Sequence, residues 1–337
     1  MTGKVITAVL AVLVCTACST GQKEPEIPET PLPAPEIEVC PQPVFSAYEF
    51  QRHVLPEEII RIYGAEFERE FHAFCDAVSE GTDAFPCTSA RQFHLIMSAA
   101  RTCFPFALKW VDEDGTAVRN GTAYLIYKGT PEEVREDFGR FARKVTDIIS
   151  EAVPYEEPDE IRAMELLTYI AHKDIFDENH TLDDMLETGP YRAIMNDIRI
   201  CQEIAGEYIY CLLQLGINAF PCASLTADKS GAHEWVMAEF DGKYYHIDPT
   251  YTLTYPDSLF FFGMNDLQRE YYGDFPPEWY SYGDIDLSAP ETYAAEDDRF
   301  LNLWLAESYE IDHACRIIRI KDHNTGEISV LSYEPGQ

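Results

Sequence analysis

Two strand-like runs, His233–Phe240 and Lys243–Asp248, are separated by nothing but Asp241-Gly242. Asp-Gly between alternating runs is a strong signal for a two-residue β-hairpin, because its tight turn needs positive φ at both central positions. Such a turn also fixes the register. With Phe240 opposite Lys243, Trp235 faces Asp248, and His233 shares the face of Trp235 because strand side chains alternate. His233 and Asp248 are then diagonal neighbours, Cα atoms roughly 7–8 Å apart, within reach of a carboxylate–imidazole hydrogen bond. The other face carries Val236, Ala238, Phe240, Tyr245 and Ile247. This reading gives one face to the core and the other to chemistry.

Upstream, Cys201 to Gly216 reads as a helix, with Ile204, Tyr208, Leu212 and Leu215 on one stripe and Gly216 as its stop. Cys201 opens that helix, where unpaired backbone N–H groups and the macrodipole favour a thiolate. Ala219–Thr226 adds a further strand. A thiol at a helix start, a histidine on a strand and an aspartate orienting it are the parts of nucleophilic acyl transfer. Taken singly, each is weak; a cysteine before a helix is more often a small buried hydrophobe.

Order and context add to this. Ile200-Cys201-Gln202, then Gly231-Ala232-His233-x-Trp235, then Asp241-Gly242-Lys243-Tyr-Tyr-His246-Ile247-Asp248-Pro249-Thr250-Tyr251 resemble the bacterial transglutaminase-like superfamily. Phe261-Phe262-Gly263-Met264-Asn265-Asp266 is similar to the segment that trails the core in that family. The resemblance covers about residues 155–275. It implies an α+β, papain/transglutaminase-like core, a helix carrying the cysteine packed on an antiparallel sheet. It also implies Cys201 as nucleophile, His233 as base and acid and Asp248 as orienter, acting on amide or peptide bonds without metal or other cofactor. Trp235, Gln202 and Tyr191 are the candidate cleft residues. The Cys201 N–H is one candidate oxyanion donor, and Tyr191 is named for the second. Glu203 and Ile204 stand where the family commonly has glycine and an aromatic, so Glu203 is expected to narrow the site or oppose the thiolate by charge.

The chain begins with Lys4 and the apolar run Val5–Val14, too short to span a bilayer and suited to a signal peptide. Cys15-Thr16-Ala17-Cys18 resembles a bacterial lipobox, which implies cleavage before Cys18 and lipidation of its thiol. Ser19–Val44, rich in Pro and Glu, reads as an extended tether. A lipoprotein anchored to the membrane and facing outward is the expected location. With 25 Lys and Arg against 59 Asp and Glu, the net charge is −34. That excludes a non-specific nucleic-acid binder and argues against anchoring through basic patches.

The expected organisation is a signal peptide over 1–17, a tether over 18–44, a mainly helical region over 45–154, the core over 155–275 and a C-terminal extension over 276–337. Helices are expected over Pro56–Ser79, Ser89–Thr102, Thr130–Val153 and Pro158–Lys173. Strands are expected over Ala107–Val111 and Thr122–Tyr127, with turns between at Asp112–Gly121. The extension is expected to end in a hairpin, Ala314–Lys321 with Glu327–Tyr333. Cys75, Cys87 and Cys103 are close enough in sequence for one local disulfide. The function expected is a surface cysteine enzyme acting on peptide or protein substrates; the alternatives are an inactive binding module of the same fold and, less favoured, a structural envelope spacer.

Overall fold

The computed structural model describes residues 42–179, 189–196, 198–225, 231–271, 279–287 and 290–333. The signal peptide, Cys18 and nearly all of the tether lie outside these residues. Helix α1 (Glu57–Glu80) is interrupted at Gly64, whose φ is 76°, and ends on Gly81 in the left-handed region. Strand β1 (Ala84–Pro86) follows, then α2 (Ala90–Cys103), whose Ser89 cap accepts from the Gln92 N–H. Residues Phe106–Trp110 form helix α3 rather than the expected strand. Ala107 and Val111 are both buried and are joined by a 2.8 Å bond from the Val111 N–H to the Ala107 carbonyl. Their apolar spacing of four suits one helical turn as well as an alternating strand. The expected turn region also contains a strand: β2 (Ala117–Arg119) pairs with β3 (Thr122–Tyr124) across Asn120-Gly121, both at positive φ.

Helix α4 (Pro131–Ala152) has the reciprocal cap expected of Thr130 and Glu133. Helix α5 (Asp159–Lys173) leads to β4 (Ile175–Phe176), α6 (Pro190–Met195) and β5 (Ile198–Arg199), the two strands pairing in parallel. Helix α7 (Cys201–Gln214) is buried from Glu203 to its end. Such burial needs small residues where helices cross: a Cβ on Gly206 would stand 2.3 Å from Pro190 Cγ on α6.

Next come β6 (Ala219–Leu225), β7 (Ala232–Phe240) and β8 (Lys243–Ile247). A short helix α8 (Pro249–Thr252), then α9 (Asp266–Tyr271), β9 (Trp279–Tyr282) and β10 (Ile285–Asp286) complete the core. The central sheet has the order β10-β9-β6-β7-β8, antiparallel throughout, and α7 packs on β6 and β7. The chain is therefore α+β, with the cysteine-bearing helix on an antiparallel sheet. Asp241 and Gly242 take positive φ, and the pairs Phe240–Lys243 and Val236–Ile247 are those the turn dictates. The sheet is buried on both faces, however. Trp235, Met237 and His246 are as inaccessible as Val236, Ala238 and Ile247, so the chemical face is also a packed one.

The extension is a three-stranded sheet: β11 (Ala306–Asp312), β12 (Ile317–Asp322) and β13 (Ile328–Ser332). The expected Asp322–Gly326 turn is present, with Asp322 Oδ1 accepting from the Asn324 and Thr325 N–H groups. Residues 313–316 turn between β11 and β12, so β12 starts later than the pattern suggested. All described residues belong to one compact unit, and one hydrophobic cluster runs from Val54 to Ile320. Cys75, Cys87 and Cys103 are buried free thiols, so the expected local bridge is absent; Cys315 is disulfide-bonded. Among the described residues no helix is long and apolar enough to cross a membrane.

Candidate active site

Cys201 is the first residue of α7, preceded by Ile200 in extended conformation. The N–H groups that open a helix lack the usual acceptor one turn back, so this end presents positive potential to the thiol, with only the Glu203 N–H turned to the Ile200 carbonyl at 3.0 Å. The first turn is held by Glu203, which reaches back to accept from the Ile200 N–H at 3.0 Å. Glu203 is fully buried and gripped in bidentate fashion by Arg192, Nε to Oε1 at 2.7 Å and Nη2 to Oε2 at 2.8 Å. Its charge is thus matched by a guanidinium and does not face the sulfur uncompensated. The glycine-to-glutamate departure comes with a paired arginine from α6.

His233, on β7, is near enough to the Cys201 thiol for the sulfur to raise its pKa. On its other side Nε2 donates to Asp248 Oδ2 at 2.7 Å. Asp248 therefore takes Nε2, and Nδ1 is the nitrogen able to serve the sulfur. The ring is stacked between Tyr251, 4.8 Å centroid to centroid, and Trp235 at 5.7 Å. Burial pushes the imidazolium down in pKa, but the Asp248 charge and hydrogen bond, with the thiol, outweigh it and raise it to about 9. Asp248 stands at the N-cap of α8, where Oδ1 accepts from the Tyr251 N–H at 3.0 Å. Burial would raise its pKa; the His233 charge and hydrogen bond, the Arg269 guanidinium and the Tyr251 N–H together hold it below the usual carboxylate range.

Behind the histidine lies a second network. Trp235 is fully buried under His233, and its Nε1 donates to His246 Nδ1 at 3.0 Å. An indole can only donate, so His246 Nδ1 is an acceptor, and Nε2 donates to Asp266 Oδ1 at 2.9 Å. Burial lowers the His246 pKa, in keeping with this neutral ring. Arg269 on α9 donates from Nη1 to Asp248 Oδ2 at 2.8 Å, and its guanidinium lies 3.8 Å from the Trp235 ring centre.

The structure brings Cys201, His233 and Asp248 together. It places the expected cleft residues differently from one another. Gln202 is exposed beside Cys201. Trp235 packs against the His233 ring. Tyr191 donates its hydroxyl to Asp137 at 2.8 Å and accepts from Lys109 at 2.8 Å. Its surroundings are a cavity of about 670 Å³ that includes Arg101, Lys128 and Arg192 but not Cys201. Sequence reasoning missed Arg192, Arg269 and Asp266. Arg269 lies within the short run Asp266–Tyr271 and contacts Asp248 only through the tertiary fold, so no local pattern marks it.

No protein-family model matches the chain, and no curated protein matches it. Among solved structures it is similar to a TGase, with 14% identity and a TM-score of 0.30 over 40% of this chain and 43% of that one. It is also similar to a structure described as "a Putative Cysteine Protease from Cytophaga hutchinsonii", with 14% identity and a TM-score of 0.27 over 32% and 37% of the two chains. The chain thus spans less than half the length of either relative. These are local likenesses.

Proposed function

We propose that this chain is a cysteine acyltransferase or amide hydrolase using Cys201, His233 and Asp248, displayed outside the cell from a lipid on Cys18. The observation that carries this reading is His233, beside the Cys201 thiol and hydrogen-bonded at 2.7 Å to a buried Asp248 held below the usual carboxylate range. In the first step the Cys201 sulfur bonds to an amide carbonyl carbon and the π pair moves onto oxygen. On collapse the C–N bond breaks, and the leaving nitrogen takes the His233 proton. The thioester is then attacked by water or a primary amine, which passes a proton to His233 as the C–S bond breaks and the thiolate returns. Water gives hydrolysis; an amine gives transglutamination. The Cys201 N–H supports the developing oxyanion.

The test incubates the purified protein with glutamine-bearing casein and a fluorescent primary amine, and in parallel with casein alone. Amine incorporation or cleavage that disappears in Cys201→Ala is expected. One observation favours the inactive binding module, namely that the Tyr191 hydroxyl is already donated to Asp137 and so does not supply the second oxyanion donor. Neither product, from a protein whose Cys201 still alkylates faster than its other thiols, would support that module. The location has its own test: Cys18→Ala should release the protein from membranes or leave it unprocessed, whereas a membrane-bound, fully processed variant would contradict lipidation.

A further inference from the structure

The Cys201–His233–Asp248 reading leaves Arg269 unexplained. It is a fully buried cation in a chain of net charge −34, yet it makes few hydrogen bonds. Its Nη1 donates to Asp248 Oδ2, the oxygen that also accepts from His233, while its buried Nε has no partner among the described residues. The rest of its setting is aromatic, with Trp235 at 3.8 Å and Tyr251 at 5.6 Å, the two rings that sandwich His233. A guanidinium serving mainly as a structural staple would spend its donors on several acceptors. This one spends its charge on one carboxylate and two rings.

We infer that Arg269 is a positioning residue that divides the Asp248 charge with His233, keeping the imidazolium acidic enough to give its proton to the leaving amine. The physics is a competition for one oxygen. Asp248 alone would hold the His233 proton tightly in this buried site, and a like charge on the far side of the same carboxylate loosens that hold. Every charged or titratable neighbour of His233 enters the balance. Asp248 and the Cys201 thiolate raise its proton affinity; Arg269 lowers it. Glu234, the next residue on β7, is pushed by burial to a pKa of about 8 and adds negative charge only above that pH. His246, neutral between Trp235 and Asp266, contributes little. Tyr251 offers its ring face and its backbone N–H. Asp266 and Arg269 belong to the same helix, so α9 supports both histidines at once. The inference rests on the proposed triad and adds what tunes it.

The experiment follows the His233 ring by NMR titration in the full chain, with its signal assigned by loss in His233→Ala. Arg269→Gln keeps a donor and removes the charge; Arg269→Lys keeps the charge and loses the planar fork. The expected result is an upward shift of the His233 midpoint by about one pH unit in Arg269→Gln, with Arg269→Lys close to wild type. If the reading of the site is right, kcat falls in Arg269→Gln while KM stays near its wild-type value, because proton delivery and not binding is impaired. Superimposable titrations for wild type and Arg269→Gln would overturn the inference. Equal shifts in both variants would overturn it too, since they would show geometry and not charge at work. Cys201→Ala separates the two levels. If it leaves the His233 midpoint unmoved, the thiol–imidazole pair fails as a catalytic unit while the role of Arg269 toward Asp248 and His233 still stands or falls on its own variants.

Discussion

Arg269 and Arg199 are both fully buried and both bound to carboxylates, but they sit in clusters of opposite balance. Around Asp248, one carboxylate receives three donors: His233 Nε2, Arg269 Nη1 and the Tyr251 N–H. Around Arg199, two residues before Cys201, one guanidinium serves both Asp174 and Glu207, whose remaining oxygens, Asp174 Oδ1 and Glu207 Oε1, have no hydrogen-bond partner among the described residues. The consequence is electrostatic. Asp248 is held below the usual carboxylate range, whereas burial, with the Glu207 charge added, pushes Asp174 up to about 8. Burial likewise raises Glu207 despite Arg199. Burial alone therefore does not decide the charge of an acid in this core; the ratio of donors to carboxylates does. The cluster with surplus donors keeps an anion ready for chemistry, and the one with surplus carboxylates keeps a proton.

Removing the partner of each arginine or carboxylate breaks this comparison most severely. Arg199→Met strands two buried acids, and Asp248→Asn strands a buried guanidinium; each should cost about 3–5 kcal/mol in denaturant unfolding. The repairs should differ. Asp174→Asn with Glu207→Gln should recover much of the first loss, and Arg269→Met much of the second. If either single change costs less than about 1 kcal/mol, that cluster is not the buried pair described.

Next in size is a pH effect on stability. The buried Asp174–Glu207 pair holds a proton in the folded chain up to about pH 8, whereas the unfolded carboxyls release theirs near 3.8 and 4.5. Between those values the folded state holds the extra proton, so stability falls as pH rises. His233 adds a later window: its folded pKa of about 9 exceeds its unfolded value of 6.5, so its stabilising contribution is complete below 6.5 and lost as pH passes 9. Unfolding measured across this range should decline in both windows. Asp174→Asn combined with Glu207→Gln should flatten the first and His233→Ala the second; an unchanged slope in either case would show that those groups are not the source.

Arg192→Ala should have a smaller effect, about 1–3 kcal/mol, because Glu203 would keep the Ile200 N–H as a donor. It should also slow Cys201 alkylation near neutral pH by uncovering a negative charge on the same helical turn. The smallest effect should be that of Glu239→Gln, within about 0.5 kcal/mol, since this half-buried side chain accepts from Asn218 and an amide oxygen can do the same. A loss above 2 kcal/mol there would mean the rim of β7 carries more of the fold than its burial implies.

Much of the site was legible because its geometry is local. Asp241-Gly242 fixes the hairpin, the hairpin fixes His233 relative to Asp248, and Gly216 ends the helix that Cys201 begins. The charge partners were not legible. Arg192 and Arg269 reach their carboxylates from α6 and α9, across gaps that no sequence period spans. The same contrast appears in the fold. Thr130-Pro131-Glu132-Glu133 marks α4 through a cap made within four residues, whereas Ala107–Val111 reads equally as strand or helix because a single helical turn and a short alternating run share an apolar pattern. The Asn120-Gly121 hairpin carried the same signal as Asp241-Gly242 but was absorbed into a polar stretch of turns. The burial of both sheet faces was hidden because Trp235 and His246 read as polar-edged residues, while in the fold their nitrogens satisfy each other.

The central claim is that Cys201 and His233 act as one ionised pair, and the most direct measurement is the rate of Cys201 alkylation against pH, followed by mass spectrometry. The protein carries its own controls: burial raises the thiols of Cys75, Cys103, Cys211 and Cys222 well above the ordinary range and Cys87 to about 11. In the wild type, Cys201 should be modified first, and His233→Ala should slow that reaction near neutral pH by roughly 10²-fold or more. Superimposable profiles for wild type and His233→Ala would contradict the account.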